Sequence, residues 1–392
     1  MWGWPSAWCA MTWCVMTREA PARPFMPQAS PGKAVAAVVA DLQAIRTRRW
    51  TLMEVCGGQT HSIVRWGLDQ LLAGAVELVH GPGCPVCVTP AHTIDQALAL
   101  AMHRGVVLCS FGDMLKVPGS HRGSGDLLQV RATGGDVRVI TRPSQALELA
   151  RAHPERQVVL LAVGFETTAP AIALLAEQVR VLGLSNLSLL LAQARVVPAM
   201  AAIAAAPERR VQGFLAAGHV AAVMGQGELE QLALQRQIPV VITGFAPLEL
   251  LQGVLACVRL LEAGTPRLHN AYAQVVRQRG NPAAQALLRQ VFSVADGPWR
   301  GLGTVAAGVL QLRPSYRHLD ARLRFGLGAG GAGACGEAEP RCRADQVLQG
   351  VLRPTACPSF GVACTPHHPL GAPMVSAEGA CAAYLQRRGR HG

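Results

Sequence analysis

Four cysteines near the end of the chain have the spacing C-x14-C-x6-C-x16-C. Four thiolates from one stretch can each cap one iron of a cubane cluster. Zinc also accepts four thiolates, but structural zinc sites use closely spaced C-x2–4-C pairs, and this stretch has none. We therefore expect a [4Fe-4S] cluster here, with zinc or four unrelated buried cysteines as the alternatives. Cys335 is a spare candidate, and the expected ligands are Cys342, Cys357, Cys364 and Cys381.

A second group, Cys84 and Cys87, has the C-x-x-C spacing directly after a predicted strand. This spacing suits a reversible disulfide, because the two sulfurs can meet with little backbone movement and a nearby positive dipole can lower a thiol pKa. Half of a metal-binding knuckle, or chance, is the alternative. The pair is a candidate for thiol redox chemistry.

Cys56 lies in the string EVCGGQTH, after another predicted strand. The two glycines that follow it leave room for another group to approach the backbone closely. His61 is near enough to act as a base or as a supporting partner of a ligand. A lone cysteine after a strand can be a core residue, but beside Cys84 and Cys87 a functional thiolate is the favoured interpretation.

Three further polar residues, Asp113, Glu166 and His219, also follow predicted strands. Each is a candidate site residue. Each could instead cap a helix N-terminus or bond a buried neighbour. Cys109 lies inside a predicted strand and Cys257 on a predicted helix, so we expect both to be core residues.

The segments that carry these motifs alternate between strand-like and helix-like apolar patterns from about residue 34. This order is typical of parallel sheets, and it predicts an α/β fold with two parallel-sheet domains. Ligands bind beyond the carboxyl ends of such strands, so the motifs line one cleft if the two sheets face each other. The predicted parts are an unstructured extension (1–33), a first α/β domain (34–140), a second α/β domain (141–280) and a small C-terminal iron–sulfur domain (281–392).

The composition argues against several classes of function. Of 392 residues, half are hydrophobic and 15% are charged, which is enough apolar surface for folded domains. The net charge of +12 comes from scattered arginines without interleaved aromatics, so we expect no nucleic-acid role. No apolar run is long enough for a membrane span, and the start lacks a secretion signal. We predict a cytoplasmic protein, in which twelve cysteines indicate metal binding or thiol redox chemistry.

Seven strings together resemble the hydrogenase maturation family HypD over roughly residues 35–385. They are MEVCGGQTH, HGPGCPVCV, SFGDMLKVPGS, VGFETTAP, GFLAAGHV, ITGFAPLELLQGV and CTPHHPLGAPMVSAEGACAAY. The resemblance implies two α/β domains around a cleft, with a [4Fe-4S] domain that uses the four tail cysteines.

The resemblance also implies a role. Proteins of this family are scaffolds for the Fe(CN)2CO unit of [NiFe]-hydrogenases; they act with a small chaperone, HypC, and receive cyanide made by HypE and HypF. By this likeness Cys56 would hold the iron, and Cys84 and Cys87 would exchange electrons with the tail cluster. Such a protein is an accessory scaffold with a redox step rather than a turnover enzyme. A disulfide reductase similar to ferredoxin–thioredoxin reductase and a zinc-stabilised binding protein are the rival hypotheses.

The sequence departs from the family pattern at two positions of interest. Gln59 stands where the family usually has the first histidine of CGGHTH, which removes a group that could transfer a proton. Ala246 stands where the family usually has the glutamate of GFEP, which removes a carboxylate.

Overall fold

A computed structural model describes residues 31–120, 125–207, 209–328 and 341–389. Residues 1–30 and Cys335 therefore lie outside the described residues. The first helix already begins at Pro31, so the last three residues of the predicted unstructured extension are helical.

Eleven strands occur in the described ranges, and most are buried on both faces, as expected for parallel strands covered by helices. They are β1 (Trp50–Glu54), β2 (Val76–His80), β3 (Val106–Ser110), β4 (Val137–Val139), β5 (Gln157–Gly164), β6 (Leu187–Ala194), β7 (Gly213–Ala217), β8 (Val240–Thr243), β9 (Leu268–Asn270), β10 (Phe292–Trp299) and β11 (Gly303–Leu312).

Sixteen α-helices occur in the same ranges, together with short 3-10 turns at Gly112–Met114, Pro314–Leu319, Pro354–Ala356 and Ala372–Met374. The helices are α1 (Pro31–Ile45), α2 (Gly57–Arg65), α3 (Leu68–Leu71), α4 (Pro85–Val88), α5 (Ala91–Met102), α6 (Leu127–Ala132), α7 (Ser144–Ala152), α8 (Ala169–Val181), α9 (Val196–Ala205), α10 (Gly218–Met224), α11 (Gly227–Arg236), α12 (Pro247–Glu262), α13 (Pro282–Val291), α14 (Ala321–Arg324), α15 (Ala344–Leu348) and α16 (Ala380–Arg388). No helix in the described part of the chain combines the length and the apolar character needed to span a bilayer.

The strands form two sheets. The first has the order β2-β1-β7-β8-β9 and is parallel throughout. The second has the order β10-β11-β6-β5-β3-β4, in which β3 to β6 run parallel and β10 and β11 add an antiparallel edge. The predicted α/β class with parallel sheets is confirmed.

Neighbouring strands in each sheet are not always neighbours in the sequence. The prediction assigned β3 to the first unit and β7 and β8 to the second, but β3 pairs with β5 and β7 pairs with β1. The segment predicted as a separate C-terminal domain also begins with β10 and β11, which extend the second sheet. Pairing between strands far apart in sequence leaves no local pattern. Grouping the strands by their order in the chain therefore placed these strands in the wrong unit.

The two sheets share a central core. Met53 and Phe214 of the first sheet belong to the same buried cluster as Leu108 and Leu161 of the second. Cys56, Cys84 and Cys87 belong to this cluster as well. The cysteines of these two motifs are thus held at the apolar junction of the two sheets.

Candidate functional site

Cys56 follows the carboxyl end of β1 and occupies the N-cap position of α2, where its thiol makes no capping hydrogen bond. Its Sγ is 3.7 Å from Nδ1 and 3.8 Å from Nε2 of His219, which is in the first turn of α10. The two residues meet because β1 and β7 are parallel neighbours, so the loops that follow them share one edge of the sheet. The side chain of Cys56 is only 4% exposed.

Burial dominates the protonation chemistry of this pair. Burial raises the pKa of Cys56 to about 12. The nearby carboxylates of Glu54 and Glu378 raise this pKa further, while the backbone amides of Gln59 and Gly58 lower it. Burial also lowers the pKa of His219. At neutral pH the metal-free site therefore holds a neutral thiol against a neutral imidazole, which can accept a proton.

The glycines around Cys56 allow very close backbone packing. A Cβ on Gly83 would overlap the backbone of Cys56, and the Gly57 amide donates to the carbonyl of Gly83 at 2.9 Å. A Cβ on Gly57 would overlap Glu378, which brings a carboxylate from the C-terminal segment onto residues 55–58 around Cys56, here called the thiol loop. The expected close approach to these glycines is confirmed, and the approaching group belongs to the chain itself.

Asp113 reaches the same region from the 3-10 turn after β3. Ser376 Oγ donates to its Oδ2 at 3.0 Å. Burial raises the pKa of Glu378, and the charge of Asp113 raises it further. The predicted candidate Asp113 is therefore brought to the thiol loop, together with Glu378, which the sequence analysis did not select.

His61 and Glu166 are placed differently from Cys56 and His219. His61 is half-buried on α2, and no described hydrogen bond joins its ring to Cys56. Glu166 accepts the amide of Val196 at 3.0 Å, at the start of α9, so it has the capping role given as its alternative. Burial raises the pKa of Glu166 to about 7, and the nearby charge of Arg195 opposes the rise.

The two departures from the family pattern have structural counterparts. The buried Gln59 amide donates to Thr243 Oγ1 at 2.7 Å, and so ties α2 to the end of β8. Glu249 Oε2 accepts the amides of Phe245 and Ala246 at 2.9 and 3.0 Å, which caps α12. A carboxylate thus caps this helix although Ala246 itself has none.

Cys84 and Cys87 form a disulfide at the start of α4, directly after β2. Both are buried, and the Cys87 amide donates to Cys84 Sγ at 3.1 Å. Helix α4 packs against the turn Ala372–Met374 of the C-terminal segment. The pairing expected for a C-x-x-C motif is present, and its reversibility stays a prediction.

The four tail cysteines line one cavity, whose empty space of about 330 Å³ is partly open to solvent. Burial raises the pKa of Cys342 to about 11, and the thiolates of Cys364 and Cys357 add to this rise. Burial likewise raises the pKa of Cys381, with contributions from the other three cysteines. The structure thus brings the four residues together around one cavity, and metal binding by them stays a prediction.

The cavity has features that suit sulfur-bound iron. The Leu370 amide donates to Cys364 Sγ at 3.4 Å, and a Cβ on Gly371 would lie 2.5 Å from Cys342 Sγ. Amide donors to sulfur and a backbone free of side chain next to it are typical surroundings of iron–sulfur clusters. In the described residues, no three His, Cys, Asp or Glu side chains are arranged to hold a single metal ion.

Cys109 and Cys257 are fully buried away from these sites, as predicted. Besides Glu378, the sequence did not single out Glu54 and His80, which end the neighbouring strands β1 and β2, or Tyr384 on α16. Glu54 Oε2 accepts the Cys56 amide at 2.8 Å, and Glu54 Oε1 is 2.6 Å from His80 Nδ1. The available signal was that two polar residues end adjacent apolar strands, one of them two residues before Cys56.

The fold and the site define a two-sheet α/β protein that buries a thiol–imidazole pair beside a disulfide and a four-cysteine cavity. The HypD family model, described as "Hydrogenase formation hypA family", matches residues 33–388, and the chain belongs to this family. It is 42% identical over 339 residues to the hydrogenase maturation factor HypD of Rhodobacter capsulatus, covering 86% of this chain and 89% of that protein.

Two further relatives give the same result. The chain is 43% identical over 343 residues to the hydrogenase maturation factor HypD of Azotobacter vinelandii, and 41% identical over 338 residues to that of Escherichia coli K12. In both comparisons 86% of this chain and 89% of the relative are covered.

Proposed function

We propose that this protein is a hydrogenase maturation scaffold that binds the iron of an Fe(CN)2CO unit through the thiolate of Cys56. The observation that carries the proposal is the contact of the buried Cys56 thiol with the imidazole of His219. Family membership supplies the hydrogenase context. The iron unit is the cargo of this scaffold and not a resident cofactor.

The chemistry of the pair suits this cargo. Low-spin iron with cyanide and carbonyl ligands favours a soft thiolate donor. Because the pKa of Cys56 is raised by burial, the thiol keeps its proton until a cation arrives. The neutral His219 ring is placed to accept that proton as the iron–sulfur bond forms, and burial excludes water from the bond.

The four-cysteine cavity would hold a [4Fe-4S] cluster through Cys342, Cys357, Cys364 and Cys381. When bound, such a cluster supplies or takes up single electrons. The chain's own contribution is the amide donor of Leu370 and the open backbone of Gly371, which hold and shape the sulfur ligands.

The Cys84–Cys87 disulfide is the third proposed component. Its reduction takes two electrons and two protons and gives two thiols. It lies on α4, which packs against the turn Ala372–Met374, and Pro373 and Met374 of that turn also line the four-cysteine cavity. This proximity supports a role of the disulfide as an electron store beside the cavity.

The proposed partners follow from the family likeness: a HypC-type chaperone and the cyanide-delivering pair HypE and HypF. We propose that the protein acts in the cytoplasm and that it binds neither nucleic acid nor membranes. It then acts as an accessory protein that passes its cargo on rather than as a turnover enzyme.

A second candidate function is a disulfide reductase in the manner of ferredoxin–thioredoxin reductase. The packing of α4 against the turn that lines the cavity favours it, since a reductase needs only these two parts. The buried Cys56–His219 pair has no role in such a reaction, which is why the scaffold is preferred.

Infrared spectroscopy of the protein co-purified with its chaperone tests the proposal. We expect cyanide and carbonyl bands that Cys56→Ala abolishes. Cys257→Ala, which removes a buried thiol away from the site, should keep them. A fully loaded complex without these bands would reject the scaffold, and anaerobic protein with zinc and no iron would favour a zinc-stabilised binding protein.

A further inference from the structure

A row of buried and partly buried polar side chains connects the C-terminal helix to the thiol loop. Arg387 NH1 donates to Asp69 Oδ1 at 2.6 Å, and the Tyr384 hydroxyl donates to Asp69 Oδ2 at 3.0 Å. His80 Nε2 is 3.1 Å from the Tyr384 oxygen, and His80 Nδ1 is 2.6 Å from Glu54 Oε1. The row joins residues of α3, α16, β2 and β1.

The row ends at the amide of Cys56. Glu54 Oε2 accepts the Cys56 amide at 2.8 Å, and Glu54 Oε1 also accepts the hydroxyl of Thr60 on α2. Glu54 is completely buried and His80 nearly so. One carboxylate therefore fixes both the residue that carries the thiol and the helix that follows it.

The bonds to the two carboxylates of the row have only one possible direction. A carboxylate only accepts, so the single hydroxyl proton of Tyr384 goes to Asp69. The Tyr384 oxygen also lies against His80 Nε2, and His80 Nδ1–H donates to Glu54, because this carboxylate likewise only accepts. Each member between Arg387 and the Cys56 amide has a partner on both sides, which is the arrangement in which polar networks stiffen a structure.

The helix at the far end of the row also lines the four-cysteine cavity. Cys381, Tyr384 and Arg387 follow one another at intervals of three on α16. This spacing places them along one side of the helix. Cys381 faces the cavity, and the other two take part in the row. A displacement of α16 at the cavity would therefore act directly on the Tyr384–His80 contact.

We propose that Tyr384, Asp69 and Arg387 are positioning residues for the Cys56 thiol, which transmit the placement of α16 to the Cys56 amide through His80 and Glu54. Occupancy of the four-cysteine cavity and accessibility of Cys56 are then linked. This second statement rests on the proposed function, because it requires that the cavity holds a metal cluster. The positioning role itself does not.

The experiment measures how fast each cysteine of the purified full chain is alkylated by iodoacetamide at one fixed pH, by peptide mass spectrometry. Buried Cys56 reacts through local opening of its loop. Tyr384→Phe removes only the hydroxyl, and Arg387→Met removes the far anchor. Each should raise the Cys56 rate roughly fivefold, the effect of losing one hydrogen bond of ordinary net strength.

The chain offers matched controls. Arg388, the neighbour of Arg387, is exposed and outside the row, so Arg388→Met should leave the Cys56 rate within about twofold. Arg387→Lys keeps a cation near Asp69, so its Cys56 alkylation rate should lie between those of the wild type and Arg387→Met. The core thiols Cys109 and Cys257 report general loosening, and their rates should stay unchanged in all variants.

Two results would overturn the positioning role. One is an unchanged Cys56 rate in both Tyr384→Phe and Arg387→Met. The other is a rise at Cys56 that Cys109 and Cys257 share in equal measure, which would mean that the row only stabilises the fold.

Loading the cavity with iron and sulfide tests the linkage. In wild-type protein, loading should slow alkylation of Cys56, and Tyr384→Phe should abolish this difference; an equal slowing in the variant contradicts the linkage. If the wild type binds no iron while Tyr384→Phe still exposes Cys56, the proposed cluster fails and the positioning role stands. If the loaded scaffold shows its infrared bands but neither variant changes the Cys56 rate, the proposed function stands and the inference fails.

Discussion

The thiol of Cys56 and the imidazole of His219 lie 3.7 Å apart, although 163 residues separate them in the chain. They meet because β1 and β7 are adjacent parallel strands. The site therefore depends on a pairing between the first strand and one from the second half of the chain.

His219→Ala should reduce the infrared bands of the bound iron unit about tenfold or more, because the variant removes the proton acceptor beside the thiol. His61→Ala is the matched control, since His61 is a neighbouring histidine without a described bond to Cys56. It should keep more than about half of the band intensity. Equal losses in the two variants would argue against a specific role for His219.

Gly83→Ala should destabilise the fold by about 1–3 kcal/mol or more, because its methyl group would overlap the rigid backbone of Cys56. Gly227→Ala is the control: nothing lies within 4 Å of its added Cβ at the start of α11. That variant should be neutral or slightly stabilising. Urea unfolding of both variants measures the difference, and similar midpoints would contradict the close packing at Gly83.

Much of the fold was predictable from local pattern. The runs ending at Glu54, His80 and Ser110 are short and apolar and have turn residues after them, and all three are strands. Helix α1 begins at Pro31, within a few residues of position 34, where the predicted alternation of strands and helices starts. These features depend on neighbours in sequence, and so the sequence shows them directly.

The grouping of the strands was not predictable in the same way. The β1–β7 and β3–β5 pairs join segments that no local signal connects. For the site, the sequence pointed to Cys56 and His219, which the structure brings into contact, but it did not point to Glu54 and His80. Their importance comes from a contact across two strands, and it appears only when the register of β1 and β2 is known.

The buried carboxyl of Glu166 gives a pH prediction. Its pKa rises from 4.5 in the unfolded chain to about 7 in the fold, so the folded state binds the proton more tightly. Its contribution to stability is therefore present below about pH 4.5 and is lost as the pH rises to about 7, by up to roughly 3 kcal/mol.

Glu166→Gln keeps an acceptor for the Val196 amide and cannot ionise. We expect the difference in melting temperature between variant and wild type to grow in favour of the variant from pH 5 to pH 7.5. A difference that is the same at both pH values would show that Glu166 does not titrate in this range.

The four-cysteine cavity gives a prediction about metal content. Anaerobically reconstituted wild-type protein should hold about four irons per chain. Cys364→Ser should hold less than about half of this, because Cys364 is one of the four thiols that line the cavity. Cys257→Ala should match the wild type. Iron analysis and visible absorption measure both, and full iron binding by Cys364→Ser would remove this residue from the ligand set.

The contact of Glu378 with Gly57 has a consequence for how the protein is made. The thiol loop is synthesised early, but the side chain that packs on its glycine emerges from the ribosome more than three hundred residues later. The partner strand β7 also follows long after β1. A nascent chain thus cannot close the thiol site until nearly all of it has been translated, so an incomplete product would not present a finished site to the maturation machinery.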